Sequence, residues 1–224
     1  MDSSELQARA RRTSAAWPAP LVYGAVRGLV RVLLWPYFRT RTIGREHIPG
    51  DGPVILAPVH RSNLDSLMLA PLMRRRFRAL SKESLFKMRP LAWVIASLGG
   101  FPVHRDTADR ESMRIARELL NDGNVLLVFP EGKRHAGDKI GELFDGTAWL
   151  AAKTQSRVVP VGIAGTGKAL PAGARFPRPT RVRMVVGPPI DPPESRVARS
   201  ALRTWTEGLT DALQAVQDEA AAQQ

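Results

Sequence analysis

Hydrophobic residues along this chain fall into short apolar runs separated by stretches of helical period. PVILAPV (53–59), FRALS (77–81), GFPV (100–103), NVLLVF (124–129), VVPVGI (158–163) and TRVRMVV (180–186) read as strands. The first and fourth are apolar at nearly every position, as strands buried on both faces are. Between the runs, 63–73, 89–98, 107–122 and 145–154 read as helices, and a final helix runs from Glu194 toward the C-terminus. The segment 107–122 is amphipathic and stops at Gly123, the residue type that most readily closes a helix. Strands alternating with helices predict a layered α/β domain over residues 43–224, built on a largely parallel mixed sheet.

The first 42 residues follow another pattern. Residues 1–16 read as a short polar helix carrying Arg9, Arg11 and Arg12, after which Pro18 and Pro20 interrupt. The start, Met1-Asp2-Ser3-Ser4-Glu5, is acidic and does not read as a secretory signal. Residues 21–38 are the most apolar stretch of the chain, yet Arg27 and Arg31 sit inside it, four apart on one helical face. A bilayer crossing needs about 20 apolar residues, and each arginine near its centre costs roughly 2.5–3.5 kcal/mol. An amphipathic helix lying among lipid headgroups, with Trp35, Tyr37 and the leucines immersed, accommodates both arginines. Residues 1–42 are therefore expected to be a helical membrane-association segment. A helix packed on its own domain is the competing reading. Gly24 and Gly28 form a G-x-x-x-G pair that permits close packing.

Charge sharpens the expected partners. The 224-residue chain has 33 Lys+Arg against 21 Asp+Glu, a formal charge of +12. Acidic lipid headgroups, phosphorylated substrates and nucleic acid all answer to such a charge. Residues 61–90 concentrate it: Arg61, Arg74, Arg75, Arg76, Arg78, Lys82, Lys87 and Arg89 stand against Asp65 and Glu83. The run Arg74–Arg78 is a candidate for acidic headgroups, or for the phosphates or acidic carrier protein of an acyl donor. A nucleic-acid role rests on charge alone, because no aromatic-basic RNA-binding block and no zinc-finger spacing is present. Cysteine is absent, which excludes disulfides, a thiol nucleophile and thiolate metal sites.

Four blocks carry candidate chemistry. His60-Arg61-Ser62-Asn63-Leu64-Asp65 follows the first buried strand, and strand ends in α/β sheets open into the ligand crevice. On one ideal helix, residues five apart cannot touch. His60 and Asp65 meet only if His60 lies on the turn and Asp65 in the first helical turn, with Ser62 as N-cap of a capping box. The carboxylate would then fix one imidazole nitrogen and leave the other as a base. The second block, Gly99 to Arg105, puts His104 and Arg105 at a strand end. The third, Phe129-Pro130-Glu131-Gly132-Lys133-Arg134, follows the fourth strand and demands a specific turn. In the fourth, Val158 to Gly165, a strand runs into glycines and suggests another crevice edge. Gly162 through Ala169 comes close to a phosphate-binding loop, but Ala169 replaces the required Ser or Thr and Pro171 forbids the following helix.

In this order the four blocks resemble the glycerolipid acyltransferase family, most closely the 1-acyl-sn-glycerol-3-phosphate acyltransferases, over roughly residues 43–190. The lead-in Ile43-Gly44-Arg45-Glu46-His47-Ile48-Pro49 is similar as well. The resemblance implies that His60 is the general base and Asp65 its orienting partner. It also implies that Arg105 contacts the acceptor phosphate and that Glu131, Gly132 and Arg134 shape the acceptor site, with Lys82 a further basic residue there. The N-terminal helices resemble the family's membrane-docking segment. Two positions depart from the usual pattern. Val59 stands where asparagine is common, which removes one loop hydrogen bond. Lys133 stands where threonine is common, which adds charge near the acceptor.

The resemblance therefore predicts transfer of a fatty acyl group from acyl-CoA or acyl carrier protein to 1-acyl-glycerol 3-phosphate, giving phosphatidic acid without a cofactor or metal. The expected partners are a lysophospholipid acceptor, an acyl thioester donor and an acidic membrane surface, with no nucleic acid. The expected location is peripheral, on the cytoplasmic face of the cell membrane. Other lysophospholipids or a glycolipid are the alternative acceptors. An acyl-enzyme through Ser62 is a minor alternative, since a thiol with a pKa near 8.5 already leaves readily as thiolate.

Overall fold

The computed structural model describes residues 3–103, 110–196 and 198–224. Its spine is a sheet of β1 (Arg41–Ile43), β2 (Val54–Pro58), β3 (Phe77–Lys82), β4 (Gly100–Val103), β5 (Val125–Leu127), β6 (Arg157–Ala164) and β7 (Arg183–Val186). Their spatial order is β1-β7-β6-β2-β5-β3-β4. Every pairing is parallel except β6 with β7. This is the layered α/β domain with a largely parallel mixed sheet that the alternating pattern predicts. The helices are α1 (Ser3–Ala15), α2 (Pro18–Leu29), α3 (Trp35–Tyr37), α4 (Asp65–Leu69), α5 (Arg89–Ser97), α6 (Arg110–Asn121), α7 (Gly146–Thr154), α8 (Thr166–Ala169) and α9 (Arg199–Ala222).

The central strands β2, β5 and β6 are buried almost throughout, and Val54–Ala57, Val125–Leu127, Val158, Val159, Val161 and Ile163 form the middle of one continuous core. Covered on both faces, these strands have no polar alternation to show. Pro160 lies inside β6, where a missing N–H normally breaks a ladder. Its carbonyl accepts from Gly187 (2.9 Å), so its nitrogen faces the same side, beyond the β7 ladder that begins at Val161–Val186. The missing donor therefore forfeits only the reciprocal bond to Gly187, at the end of that ladder.

Some elements differ from expectation. β5 ends at Leu127 rather than Phe129: Val128 still donates to the Leu56 carbonyl (3.0 Å), but Pro130 cannot donate and the chain turns away. β1, three residues long, offers too short a run for any period to register. Pro18 and Pro20 do not separate two helices so much as start the second one, standing in the first turn of α2, where proline's fixed φ fits and no donor is missed. The last helix begins at Arg199, not Glu194.

Helix α2 continues through a π-helical turn, Val30–Leu34, into α3. Its inner face buries Ala19, Tyr23 and Val30, and Val30 and Phe38 join the main core. Leu6 and Ala10 of α1 share a second cluster with Phe86, Ala92 and Ala96. The outer face of α2 stays apolar and exposed, with Leu21 at 59%, Leu29 at 57% and Val32 at 68%. A methyl on Gly24 or Gly28 would meet nothing within 4 Å, so that pair serves no packing among the described residues. Among the described residues no helix is long and apolar enough to cross a membrane.

Candidate active site

β2 and β5 are adjacent and parallel, so the segments that follow them leave the sheet at the same edge. The first closes into a turn, with the Asp65 N–H bonded to the Ser62 carbonyl (3.2 Å), and Asp65 opens α4. Its buried carboxylate reaches back. Oδ2 accepts from His60 Nδ1 (3.0 Å), the Arg61 N–H (2.7 Å) and the Ser62 N–H (2.7 Å). The capping box is thus half realised. The carboxylate takes the Ser62 N–H, but the Ser62 hydroxyl accepts from Leu64 (3.3 Å) and donates to the Leu170 carbonyl (3.1 Å). That places Ser62 as a brace.

A carboxylate only accepts, so its bond to Nδ1 places the imidazole hydrogen there and leaves the Nε2 lone pair free. The His60 ring stacks on Phe129, with centroids 3.9 Å apart and planes inclined by 22°. Its side chain keeps 14% of its surface exposed while Asp65 keeps none. Phe129 and Asp65 together fix the plane and the rotation of the ring.

Glu131 lies beneath this turn. Its carboxylate is fully buried and paired with Arg61 at 2.8 Å; Oε1 also accepts the His60 N–H (3.1 Å) and Oε2 the Gly141 N–H (3.0 Å). Arg61, a bystander in the sequence pattern, is one of the most engaged residues here, and Phe129 is another the pattern did not single out. Neither carries a local signal, because both act across the gap between two strands.

Gly132 holds φ +68°, and a methyl there would come 2.8 Å from the Phe144 ring. Its lack of a side chain thus makes room for the exposed Phe144 ring. Arg134 is exposed and makes no hydrogen bond or ion pair with the described residues. It stands next to His135, whose N–H bonds the His60 carbonyl (3.0 Å), so it leaves its loop beside the His60 turn. Lys82 ends β3, exposed and in register with Val103. It is on the same sheet edge, two strands from β2 and so about 10 Å across. Arg105 lies outside the described residues.

The Acyltransferase family model matches residues 39–164, more than half of the chain. The chain belongs to the Acyltransferase family. It is 34% identical over 163 residues to a 1-acyl-sn-glycerol-3-phosphate acyltransferase of Chlamydomonas reinhardtii, covering 70% of this chain and 48% of that protein. It is 29% identical over 163 residues to the chloroplastic 1-acyl-sn-glycerol-3-phosphate acyltransferase LPAT1 of Arabidopsis thaliana, covering 71% and 46%. The chain thus spans about half the length of these relatives. The crystal structure of the 1-acyl-sn-glycerophosphate acyltransferase PlsC from Thermotoga maritima superposes with a TM-score of 0.74 at 25% identity, covering 92% of this chain and 85% of that one.

In this chain most of the arginine run is engaged internally. Arg75 donates to the Gly52 and Gly123 carbonyls (both 2.6 Å), and Arg76 to the Ser97 carbonyl (3.1 Å). Arg78 bonds Asn124 (3.2 Å) and the Ser14 hydroxyl. Burial lowers the pKa of all three below the usual guanidinium value. Arg74 remains exposed. The run ties α1, α5 and the strand ends together, leaving little of it for a phosphate or a headgroup.

Proposed function

We propose that this protein transfers a fatty acyl group from an acyl thioester, acyl-CoA or acyl carrier protein, to the free hydroxyl of 1-acyl-glycerol 3-phosphate, producing phosphatidic acid. The observation that carries the reading is the 3.0 Å bond from His60 Nδ1 to a buried Asp65, which leaves Nε2 basic at the crevice. Nε2 takes the hydroxyl proton as the oxygen attacks the thioester carbonyl. The tetrahedral intermediate then expels the thiolate, which recovers the proton from the imidazolium. A thiol pKa near 8.5 makes that departure easy, so the route calls on neither metal nor cofactor. A positioned base is worth typically 10²–10⁴-fold for such an attack. Arg134, beside the turn and without a partner among the described residues, and Lys82 on the same edge supply cations for the acceptor phosphate, and Gly132 opens the backbone between them.

The exposed outer face of α2 supports the membrane half of the reading. Trp17, Leu21, Leu29, Val32, Leu33 and Tyr37 are exposed, and Arg31 lies over the Trp35 ring at their border. An apolar stripe edged by arginine and tryptophan suits a helix lying in the headgroup layer, which would bring the site to its lipid acceptor as a peripheral protein on the cytoplasmic face. To test this, the purified protein is incubated with long-chain acyl-CoA and lysophosphatidic acid, other lysophospholipids competing, and products are identified by mass spectrometry. Phosphatidic acid should form, and His60→Ala should abolish it while still floating with anionic vesicles. Full transfer by His60→Ala sinks the mechanism, and preferred acylation of a competitor reassigns the acceptor.

A further inference from the structure

Arg61 and Glu131 are buried more deeply than contact with a substrate requires. The Arg61 side chain keeps 5% of its surface exposed and the Glu131 side chain none. One guanidinium nitrogen of Arg61 bonds both carboxylate oxygens (2.8 and 3.0 Å) and the His60 carbonyl (3.0 Å). Its other terminal nitrogen reaches the Lys139 carbonyl (3.0 Å). Glu131 in turn takes the His60 N–H (3.1 Å) and the Gly141 N–H (3.0 Å). The single ion pair therefore holds the main chain of His60 at its N–H and at its carbonyl.

Stability alone does not account for such a pair. Removing two charges from water costs several kcal/mol each, and apolar residues of similar volume often serve a fold as well or better. What apolar residues cannot do is hydrogen-bond the two peptide units that flank His60. Asp65 orients the ring only relative to residues 60–62, because all three of its bonds lie within that turn. Nothing in the Asp65 network fixes the turn against the loop after β5. Glu131 does, and that loop also carries Gly132 and Arg134.

We propose that the Arg61–Glu131 pair is a positioning device for the general base. It clamps the His60 main chain to the 131–141 loop so that Nε2 is delivered in register with the acceptor's binding groups. The inference rests on the acyl-transfer reading and assigns Glu131 to the base side of the reaction rather than to acceptor contact. Arg61 and Glu131 touch no reacting atom in this scheme. Their effect passes through the placement of His60, and a misplacement near 1 Å costs on the order of 10²-fold in rate.

Two variants test it. Arg61→Lys keeps a cation for Glu131 and leaves the Glu131 bonds to His60 and Gly141 in place, but loses the fork that reaches the His60 and Lys139 carbonyls. Arg61→Met/Glu131→Leu removes both charges together, so neither is stranded. Steady-state kinetics should show kcat down about 10-fold in the first variant and on the order of 10²-fold in the second. KM for the lysophosphatidate acceptor should stay within about twofold in both. If the double variant does not fold, Arg61→Lys decides. Wild-type kcat in the folded variants overturns the proposal, as does a raised acceptor KM at unchanged kcat, which would assign Glu131 to acceptor binding. If the wild-type protein itself transfers no acyl group, the acyltransferase reading falls. The clamp is then read from amide hydrogen exchange at His60 and Gly141, whose N–H groups Glu131 accepts: faster exchange there in the double variant supports it, and unchanged exchange overturns it.

Discussion

Replacing Asp65 with asparagine separates the charge of this residue from its shape. Asparagine keeps an oxygen where Oδ2 stands and places an amide nitrogen where the buried, unpartnered Oδ1 stands. The reverse orientation is opposed by two backbone donors, the N–H groups of Arg61 and Ser62, each 2.7 Å from Oδ2. His60 therefore keeps its Nδ1–H tautomer, and what disappears is the negative charge facing the imidazolium that forms as the proton moves. At the 3.0 Å separation and an effective dielectric of about 20, that interaction is roughly 5.5 kcal/mol. A half-transferred proton realises about half of it, roughly 2.8 kcal/mol, which corresponds to two decades in rate. Asp65→Asn should accordingly lower kcat on the order of 10²-fold with acceptor KM little changed. The measurement is thiol release from acyl-CoA at saturating lysophosphatidate, beside a melting curve. The amide left without a partner costs about 1–3 kcal/mol, offset in part because a buried carboxylate no longer needs desolvating. Activity within about threefold of wild type would refute the argument, since Asp65 would then serve only to close the turn.

Arg134→Ala should raise the acceptor KM roughly 10- to 100-fold, the equivalent of one charge-assisted phosphate bond, with donor KM unchanged; a donor-side defect would contradict the placement. Gly162→Ala should destabilise the fold by about 3 kcal/mol through overpacking, because the new methyl lies 2.7 Å from the Gln217 nitrogen of α9 and closer still to the Val216 carbonyl. The melting temperature should drop by roughly 6–12 °C. Glu118 is held below the ordinary carboxylate pKa, first by its hydrogen bond from Arg11 and then by that from Arg114. Its small contribution is present above the unfolded-state pKa and is lost as pH falls through the lower folded value. Amide exchange in α1 should therefore quicken in that acid window, and Glu118→Gln, already lacking the charge, should show no such step.

The order of strands and helices was readable because the central strands are buried on both faces and betray themselves as unbroken apolar runs. The contact between His60 and Asp65 was readable because it lies within one turn, where spacing limits the geometry. Phe129 was not, since its stacking on His60 joins the ends of two different strands. Gly162 shows a different limit. A glycine at the end of a strand suggests a backbone open to a ligand, yet here the missing side chain admits α9, whose buried Gln217 takes the Ile163 N–H at 2.8 Å.

The arginines show most clearly what composition hides. A formal charge of +12 points toward anionic partners, and a run such as Arg74–Arg78 looks like the place to receive them. The fold spends most of that run on carbonyl oxygens at the ends of helices and strands, which a five-donor guanidinium satisfies better than any other side chain. Arg45 does the same at the Pro71 and Leu72 carbonyls (2.9 and 3.0 Å), and Arg27 at Arg74 (2.8 Å). A chain without cysteine that must anchor two N-terminal helices to a sheet can use arginine as its cross-link. Arg61 belongs to the same class in holding the His60 and Lys139 carbonyls, and differs in that it also pairs with the buried Glu131. Arg134 beside the turn and exposed Lys82 on the same edge make no hydrogen bond or ion pair with the described residues, so on the proposed reading acceptor recognition should respond to substitution there and be nearly silent at Arg75, Arg76 and Arg78 except through stability.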